Sequence, residues 1–389
     1  MAVQGIAREL ARRHTVHVLS GAARGEPAAT RDGAIRVFRA PGWPRRQASH
    51  SSLASLVGFW PFGTFYGYTL LRRHTYDLIN TWFAVPSGPT GVHLAAACGV
   101  PHVLTLAGGD IYDPVKRYTP DKSRLLAAIV RRVLRAADIR VAVSTDLARR
   151  AVTLYGCPSP LEVISPGLAL PTPPAAPSGP DLSGVGLPDA DRPAAGAPDR
   201  RALGLDPDAV YVVSLARLVR RKNLTALVEA CAAIGADNVR LLLLGDGPER
   251  LPLEQLAGER GFGSRVQFRG FVDEAGKQAL LRAADIFALP SLHEAFGLVY
   301  LEAMQAGLPI IATRPGGQED FLEDGLTAHL VEAGDPAALT GALARLVGDP
   351  VARHRMGAAA RAAAAAFTAE VAAARYEALF GRLVTPDIA

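Results

Sequence analysis

Residues 290–307 read P-S-L-H-E-A-F-G-L-V-Y-L-E-A-M-Q-A-G, and this stretch decides how the chain is interpreted. The residues before it, Ile286–Ala288, are predicted to form a buried strand, and Leu298–Ala306 is predicted to form a helix. Gly297 lies at the junction, where the first backbone N–H groups of a helix have no intrahelical acceptor. The stretch therefore predicts an anion site at the carboxyl edge of a parallel sheet.

Two carboxylates accompany this predicted anion site, Glu294 in the turn and Glu302 inside the helix. Carboxylates repel phosphate, but they accept hydrogen bonds from hydroxyl groups such as those of a sugar and a ribose. The stretch therefore favours a ligand that combines phosphate with sugar hydroxyls.

Basic residues follow another predicted strand, Val210–Leu215, at its carboxyl end. Arg217 offers a forked guanidinium and Lys222 a point charge, a pair that suits a diphosphate and the charge on a departing one. A solvated basic loop is the alternative interpretation of this segment.

Glycines follow two further predicted strands. Gly245 comes after Arg240–Leu244 and allows close backbone approach, although a plain turn would also explain it. Gly316 and Gly317 come after Pro309–Thr313. Because the carboxyl ends of parallel strands share one edge of a sheet, these loops and the two described above are expected to converge on one crevice.

The chain as a whole alternates short β-branched apolar runs with longer amphipathic segments, the pattern of parallel sheets covered by helices. Its 389 residues, 49% of them hydrophobic, suffice for two domains. We expect an N-terminal acceptor-side domain at 1–170, a Pro/Gly/Ala-rich linker at 171–200, a C-terminal nucleotide-sugar-binding domain at 201–365, and a C-terminal helix at 366–389 that packs back toward the N-terminal domain. The Ala-rich segment Ala358–Phe380 is predicted to be one continuous helix.

The N-terminal domain lacks a feature of its predicted class. The sequence opens on a predicted helix, Val3–Arg13, followed by a strand, whereas a doubly wound domain normally starts with a central strand and a glycine-rich turn. Either the start codon is assigned too late, or the domain has lost a central strand. The first explanation is favoured because losing a central strand would expose apolar edges.

Four motifs in order carry a family resemblance: A-R-L-x-x-x-K-N, then G-D-G-P, then P-S-x-x-E-A-F-G-L-x-x-x-E-A-M-x-A-G-x-P, then G-G-x-x-D-x-x-x-D-G-x-T. From about Val212 to Gly334 this order resembles the retaining GT-B glycosyltransferases of the large family-4 type, and the spacing between Glu294 and Glu302 is its most specific element. The resemblance implies two Rossmann-like doubly wound domains. It also implies transfer of a sugar from a nucleotide-diphosphate sugar to a glycan, glycolipid or small-molecule acceptor, with retained anomeric configuration.

The resemblance also implies roles for individual residues. Arg217 and Lys222 would hold the donor diphosphate, Glu294 would contact the transferred sugar, and Glu302 would bind the ribose hydroxyls. The remaining implied positions are Gly245, Phe296, Gly297, Leu298, Gly316 and Gly317 on the donor side, and Gly108, Gly109 and Asp110 on the acceptor side.

Four departures from the family pattern are evident. Ala107 stands where the family usually has a histidine, and Asp320 replaces the usual glutamate after the Gly-Gly pair. The glycine-rich acceptor loop after the first strand is missing, and the frequent N-G-V-D segment reads S-P-G-L at residues 165–168. The missing first strand and Ala107 keep an alternative open. The alternative is a catalytically silent nucleotide-sugar-binding protein, or a truncated gene model of the enzyme. A nucleotide-sugar epimerase on the same fold is disfavoured by the spacing of the two glutamates.

Neither a metal nor a cofactor is expected. No dedicated general base is evident, which fits a reaction in which the leaving phosphate itself takes the acceptor's proton. Of two D-x-D sequences, Asp189–Asp191 lies in the predicted linker and Asp206–Asp208 lies in a turn before a strand. The three cysteines form no C-x-x-C pair, so they do not suggest a metal site.

Charge is unevenly distributed. Up to Gly167 there are 21 Arg and Lys against 10 Asp and Glu, a net charge of +11, which leaves −6 for the remainder. The positive part contains Arg72 and Arg73 next to the aromatic segment Phe59–Tyr68, a combination that suits an anionic membrane surface and a lipid-linked acceptor. An ordinary core helix with solvated arginines is the other interpretation. No nucleic-acid-binding motif accompanies the charge.

Location follows from the same features. No stretch reaches the roughly 18 apolar residues that would span a bilayer. We therefore expect a cytoplasmic protein, at most peripheral at the inner face of the membrane.

Overall fold

The computed structural model describes residues 2–23, 25–45, 53–116, 118–169 and 199–384. The chain divides into two compact units, the first made of Met1–Ala169, Glu294–Phe296 and Phe367–Ala389, and the second of Leu170–His293 and Gly297–Ala366. Each unit combines parallel strands with helices, so the predicted α/β class is confirmed. Almost all of the predicted linker at 171–200 lies outside the described residues.

The first unit is built from the N-terminal elements. In chain order they are α1 (Ala2–Leu10), β1 (His17–Ala23), β2 (Ala29–Asp32), β3 (Ile35–Arg45), α2 (Leu53–Leu71), β4 (Ile79–Trp82), α3 (Gly88–Cys98), β5 (His102–Leu106), α4 (Arg124–Ala136), β6 (Ile139–Ala142), α5 (Thr145–Tyr155) and β7 (Leu161–Val163). The strands form two sheets, one of order β1-β3-β2 and one of order β4-β5-β6-β7.

The second unit carries one six-stranded sheet. Its elements are β8 (Val210–Leu215), α6 (Leu224–Ala233), β9 (Val239–Leu244), α7 (Arg250–Glu259), β10 (Val266–Gly270), α8 (Glu274–Ala283), β11 (Ile286–Leu289), α9 (Leu298–Ala306), β12 (Ile310–Arg314), β13 (Ala328–Glu332), α10 (Pro336–Gly348) and α11 (Pro350–Ala364). The chain then returns to the first unit with α12 (Ala369–Val384).

All neighbouring strands of the second sheet run parallel, in the order β10-β9-β8-β11-β12-β13. Renumbered within the unit this is 3-2-1-4-5-6, the order of a dinucleotide-binding doubly wound sheet. The central strands are apolar along nearly their whole length because helices cover both faces, and Val212, Leu242 and Phe287 are fully buried.

The C-terminal helix α12 packs on α1 within the first unit. Tyr376 of α12 is fully buried among Ile6, Val103 and Val141, and its hydroxyl lies 3.1 Å from Thr105 Oγ1. Burying a tyrosine requires a partner for the hydroxyl, and Thr105 supplies one.

One predicted helix is wrong. Ala358–Phe380 is two helices, because α11 ends at Ala364 and α12 begins at Ala369. Thr368 pairs with Leu168 in a β-bridge, and its hydroxyl caps α12 by accepting from Val371 N at 3.2 Å. Helix propensity contains no information on such a tertiary contact, so an alanine-rich run does not reveal the break.

The strand β2 was not predicted from the sequence. It pairs antiparallel with β3 through a two-residue turn at Gly33 and Ala34, and Gly33 has a φ of 59°. A glycine at the first position of a two-residue turn is a hairpin signal, because that position needs a positive φ. The signal was therefore present in the sequence.

The helices of the described residues include none that is both long and apolar enough to cross a bilayer.

A buried histidine in the first unit predicts acid sensitivity. His102 is 2% exposed with Nε2 2.9 Å from Thr81 Oγ1, and burial lowers its pKa to about 4. Below pH 6.5 the unfolded chain takes up a proton that the folded chain refuses, so stability falls as the pH drops from 6.5 to 4. Between pH 6.5 and pH 4, the free energy of unfolding of a His102→Gln variant should therefore fall by about 3 kcal/mol less than that of the wild type.

The measurement is urea denaturation followed by tryptophan fluorescence, because all three tryptophans, Trp43, Trp60 and Trp82, lie in the first unit. His354→Gln, at an exposed position on α11, is the control and should keep the wild-type pH dependence. Equal pH dependence in His102→Gln and the wild type would contradict the assignment.

Candidate active site

The carboxyl edge of the second unit's sheet carries the predicted donor residues. β8 and β11 lie side by side in the centre of this sheet, where the strand order reverses. Ligands of doubly wound sheets bind at this reversal, outside the carboxyl ends of the strands. The loops that leave these two strands, 216–223 and 290–297, are the ones that contain Arg217, Lys222 and Glu294.

The basic loop after β8 is fixed in place by its neighbour. Arg217 is exposed directly after the strand, and Arg220–Lys222 form one turn of 3-10 helix. Arg221 O accepts from Leu292 N at 2.8 Å, and Arg221 Nη1 donates to His293 O at 2.7 Å. The basic segment and residues 290–293 therefore form one connected structure rather than two independent loops.

The glycines after β9 have a packing explanation. Gly245 has a φ of 134°, and a Cβ there would collide with the carbonyl oxygen of Ala216. A Cβ on Gly247 would collide with the carbonyl of Leu218. Both glycines therefore let the loop with Arg217 pass close over the G-D-G-P turn, which accounts for Gly245 without a ligand.

The helix α9 begins at Leu298, as the sequence predicts. Its N-cap is Gly297, which has a φ of 90° and provides no capping side chain. Tyr300 N donates to Gly297 O at 3.0 Å, while the preceding backbone donors have no intrahelical acceptor. Together with the helix dipole, these N–H groups make the start of α9 suited to an anion.

Side chains from neighbouring elements hold the turn between β11 and α9. Tyr300 Oη donates to Leu289 O at 2.9 Å, and Thr313 Oγ1 donates to Ser291 O. Thr313 lies on β12, so the adjacent strand supports the loop. The positioning roles of Tyr300 and Thr313 were not predicted from the sequence.

The loop after β12 contains Gly316 and Gly317. Gly316 N donates to Glu319 Oε2 at 2.8 Å, and a 3-10 turn runs through Gly317–Asp320. Gln318 is fully buried, and its amide donates to Thr313 O. Thr313 therefore contacts both this loop and the turn between β11 and α9, so the two lie at the same edge of the sheet.

Glu302 is buried, and only one of its two carboxylate oxygens has a hydrogen-bond partner. Its Oε1 accepts from Lys277 Nζ at 2.7 Å, and both side chains are 7% exposed. Its Oε2 is also buried, and no group in the described part of the chain hydrogen-bonds to it. A buried carboxylate oxygen without a partner is costly, which is the expected state of an atom that receives a ligand hydroxyl.

Burial raises the pKa of Glu302, and the hydrogen bond and charge of Lys277 oppose that shift. Burial would lower the pKa of Lys277, but its bonds to Glu302 and Glu274 outweigh that and hold the pKa above its ordinary value. Lys277 was not predicted from the sequence to be part of the site. It is one of only four lysines on the chain, and it lies in a predicted amphipathic helix. Its partner Glu302 is 25 residues away, so no local sequence pattern indicates the pair.

The structure brings most of the predicted donor residues to one edge of one sheet. These are Arg217, Lys222, Gly245, Gly297, Leu298, Gly316 and Gly317, with Glu302 one turn inside α9. Glu294 and Phe296 are buried, 6% and 4% exposed, and immediately precede Gly297 in the chain. By their contacts, Glu294–Phe296 group with the first unit.

The predicted acceptor-side residues form a loop after β5. Asp110 is 3% exposed, and Oδ2 accepts from Ala84 N at 2.7 Å while Oδ1 accepts from Gly108 N at 2.8 Å and Ala107 N at 3.2 Å. Burial raises the pKa of Asp110 to about 6 against these backbone bonds. Asp110 therefore ties together the loops after β4 and β5, a positioning role that the sequence did not reveal.

The two predicted acceptor-side glycines differ in exposure. Gly108 is buried with a φ of 134°, and Gly109 is exposed.

Fold and site together define a glycosyltransferase of the GT-B class. Residues 197–363 match the model of glycosyl transferases group 1, and residues 2–170 match that of glycosyltransferase family 4. The chain belongs to this family, as its four motifs predict.

Relatives of known name support the same assignment. The chain is 30% identical to a D-inositol 3-phosphate glycosyltransferase of Xylanimonas cellulosilytica over 87% of this chain and 80% of that protein. It is 38% identical to the lipopolysaccharide core biosynthesis glycosyltransferase LpsE of Rhizobium meliloti over 41% of this chain. That second match spans 46% of the length of LpsE, less than half of it.

A solved structure has the same fold. HepE from Anabaena, in complex with UDP and glucose, superimposes with a TM-score of 0.73 over 98% of this chain and 95% of that one, at 22% identity.

The ion pair with Glu302 predicts that Lys277 contributes to ligand affinity. Lys277→Met leaves Glu302 buried without a countercharge, so its pKa rises further and it protonates at a higher pH. Calorimetric titration first identifies which of UDP, GDP and ADP the wild type binds most tightly. We expect the variant to bind that nucleotide at least about tenfold more weakly at pH 7.

Glu274→Gln is the matched control, because it removes the exposed partner of Lys277 and leaves the buried pair. Its affinity should stay within a factor of about two of the wild type, as expected for an exposed ion pair. Lys277→Arg, which keeps the charge, should retain part of the affinity. Unchanged affinity in a folded Lys277→Met variant would contradict the role.

Proposed function

We propose that this protein transfers a hexose-type sugar from a nucleotide-diphosphate sugar to a glycan, glycolipid or small-molecule acceptor with retained anomeric configuration. The observation that carries the proposal is the combination of features on α9. Uncapped backbone donors at Leu298 suit a phosphate, and the unpartnered Oε2 of Glu302 suits a hydroxyl. The two residues are four positions apart, a rise of about 6 Å along the helix, so a phosphate and a ribose of one ligand reach both.

Charge development during the reaction determines the proposed roles. The bond between the anomeric carbon and the phosphate oxygen breaks, and the negative charge moves onto the departing diphosphate. Arg217, Lys222 and the start of α9 stabilise that charge in place of a metal ion. The acceptor hydroxyl attacks from the face that the phosphate leaves, and its proton passes to a phosphate oxygen.

Glu294 is proposed to contact the transferred sugar. It is buried and adjoins the start of α9, and a carboxylate accepts hydrogen bonds from sugar hydroxyls. The family resemblance assigns it this contact, and the UDP and glucose in HepE support a nucleotide-sugar donor. The inositol 3-phosphate and lipopolysaccharide enzymes among the relatives support a hydroxyl-bearing acceptor from envelope or small-molecule metabolism.

Exposed aromatics on α2 support a membrane-bound acceptor. Phe65 is 72% exposed, and Phe62 and Tyr68 are 45% and 41% exposed. These three do not fit the alternative of an ordinary core helix. Arg72 and Arg73 follow the helix directly, so the segment offers both rings and positive charge to an anionic headgroup layer. We propose a peripheral location at such a surface.

The enzyme proposal predicts the effect of two substitutions. Glu294→Gln removes the charge that faces the sugar, and Lys222→Ala removes a cation that stabilises the leaving group. Each should lower transfer at least about 100-fold with the fold intact, measured as product formation by mass spectrometry over a set of UDP-, GDP- and ADP-sugars. Arg220→Ala, at an exposed neighbouring position, is the control and should keep near wild-type turnover.

Near wild-type turnover in Glu294→Gln or Lys222→Ala would contradict the assignment. The silent alternative is motivated by Ala107 and gives a different result. It predicts that a nucleotide sugar binds to the protein but is neither transferred nor hydrolysed.

Membrane association gives another prediction. The protein should sediment with liposomes rich in anionic lipid at low salt and less at high salt, because the interaction is partly electrostatic. A Phe62→Ser, Phe65→Ser, Tyr68→Ser variant should bind at least about fivefold more weakly. A Leu251→Ser, Val351→Ser variant, at exposed apolar positions of the second unit, is the control. Absence of binding at low salt would refute the proposal.

A further inference from the structure

The carboxyl edge of a sheet in the first unit carries a strained aromatic residue and an exposed lysine. Phe83 directly follows β4, and Lys116 lies in the loop that follows β5, the parallel neighbour of β4. Ligands of parallel α/β sheets bind outside the carboxyl ends of the strands. The surroundings of these two side chains indicate which ligand would bind at this edge.

Phe83 is held in an unfavourable backbone conformation. Its φ is 74°, a region that bulky residues rarely occupy. Hydrogen bonds on both sides keep it there, because Phe83 N donates to Thr105 O at 2.8 Å and Ala84 N donates to Asp110 Oδ2 at 2.7 Å. The residue is nevertheless 39% exposed, so core packing alone does not explain the strain. Strained residues of this kind cluster at ligand sites.

Lys116 lies on a loop that other polar groups hold in a defined conformation. Lys122 Nζ donates to the carbonyl oxygens of Asp113, Pro114 and Lys116 at 3.1, 2.9 and 2.8 Å. Asp113 is buried, and its Oδ1 accepts from Val115 N and Lys116 N at 3.1 Å each. The backbone of Lys116 is therefore fixed, while its side chain is exposed.

Direct contacts connect the lysine loop with the end of β4. Lys116 Nζ lies 3.8 Å from the position that a Cβ on Gly109 would take. Gly109 adjoins Asp110, and the Asp110 carboxylate binds the backbone of Ala84, next to Phe83. Phe83, Gly109 and Lys116 also line the same cavity of the first unit. The cation and the aromatic ring therefore belong to one local surface.

The charge of this surface is positive. In the described part of the loop between β5 and α4, Asp110 and Asp113 are buried and accept from backbone N–H groups, and Asp121 is partly buried. Asp113 Oδ2 lies 3.8 Å from Lys116 Nζ, which is beyond hydrogen-bond distance. The exposed ammonium has three donors, so it can bind an anion at this edge.

We propose that Phe83 and Lys116 form an acceptor subsite for a phosphorylated sugar or polyol, with the ring packed on Phe83 and the phosphate bound by Lys116. The subsite rests on the proposed function, in which the first unit receives the acceptor. One face of a sugar ring presents C–H groups, which bury apolar surface against an aromatic side chain. A lysine is a point charge that suits a phosphate, whereas a carboxylate is better matched by the fork of an arginine.

Saturation-transfer NMR on the 389-residue chain tests the subsite without requiring turnover. Irradiation of the aromatic protons should saturate the ring protons of glucose 6-phosphate. This ligand should bind at least about fivefold more tightly than glucose, as expected for a charge-assisted hydrogen bond. Lys116→Met should bring the two affinities within about twofold. Arg124→Met, at an exposed cation that does not line the cavity, is the matched control and should keep the preference.

Phe83→Gly separates a ligand contact from a structural role. The substitution removes the ring and relieves the positive φ, so the Tm should stay within about 2 °C of the wild type or rise. The affinity for glucose 6-phosphate should fall at least about threefold, because the apolar contact with the sugar ring is lost. A structural Phe83 predicts the opposite, a lower Tm with unchanged affinity, and that result would overturn its role.

The phosphate could belong to a soluble acceptor or to a lipid headgroup, and vesicles distinguish the two sources. Phosphatidylcholine vesicles that contain phosphatidylinositol are compared with vesicles that contain as much phosphatidylglycerol, which has the same charge but no ring. Stronger binding to the first, lost in Phe83→Gly and weakened in Lys116→Met, would assign the phosphate to a lipid. A preference shown only with glucose 6-phosphate would assign it to a soluble acceptor.

Two results would overturn the subsite. One is the absence of any preference for the phosphorylated ring, both in solution and on vesicles. The other is a preference that Lys116→Met retains or that Arg124→Met loses.

Failure of the subsite and failure of the proposed function are distinguishable, because these binding measurements need no donor. A chain with a Lys116-dependent preference that transfers no sugar would support the subsite and refute the proposed function. Transfer to neutral acceptors, with kcat and KM unchanged in Lys116→Met, would support the proposed function and refute the subsite.

Discussion

The buried ion pair between Lys277 and Glu302 is the interaction on which the proposed donor site depends. Removing a carboxylate from water costs several kcal/mol, and a single lysine compensates only if the geometry is good. Here the 2.7 Å contact satisfies one oxygen and leaves the other buried without a partner. The unfolded chain has no such unsatisfied atom. The folded protein therefore maintains a costly group in place, and a ligand hydroxyl would remove the cost.

The rest of the proposed donor site is organised around the same helix. α9 contains Glu302, its N-terminus follows Gly297, and Tyr300 fixes the preceding turn to β11. Arg221 ties the basic loop to that turn, and Gly245 allows the loop to pass close to the backbone of its neighbour. A nucleotide sugar would meet a preformed set of donors and cations, so little reorganisation is needed when charge develops on the leaving group.

Much of this arrangement could be predicted from the sequence, for identifiable reasons. Strands such as Val210–Leu215 are apolar over their full length because both faces are covered, and Gly297 marks the start of α9 because the chain there needs positive φ. Lys277 and Asp110 could not be recognised in the same way. Lys277 contacts a residue 25 positions away, and Asp110 bonds to the backbone of Ala84, so neither role leaves a local pattern. The break between α11 and α12 depends on a tertiary bridge, and alanine content predicts the opposite.

The central claim is that a sugar leaves its diphosphate and meets its acceptor on the same face, with Arg217, Lys222 and the start of α9 stabilising the leaving group. The configuration of the product reports this most directly. With an α-linked nucleotide sugar as donor, proton NMR of the newly formed linkage should show an α-anomeric signal before any mutarotation. A β-linked product would require attack from the opposite face and a separate base, and it would contradict the account.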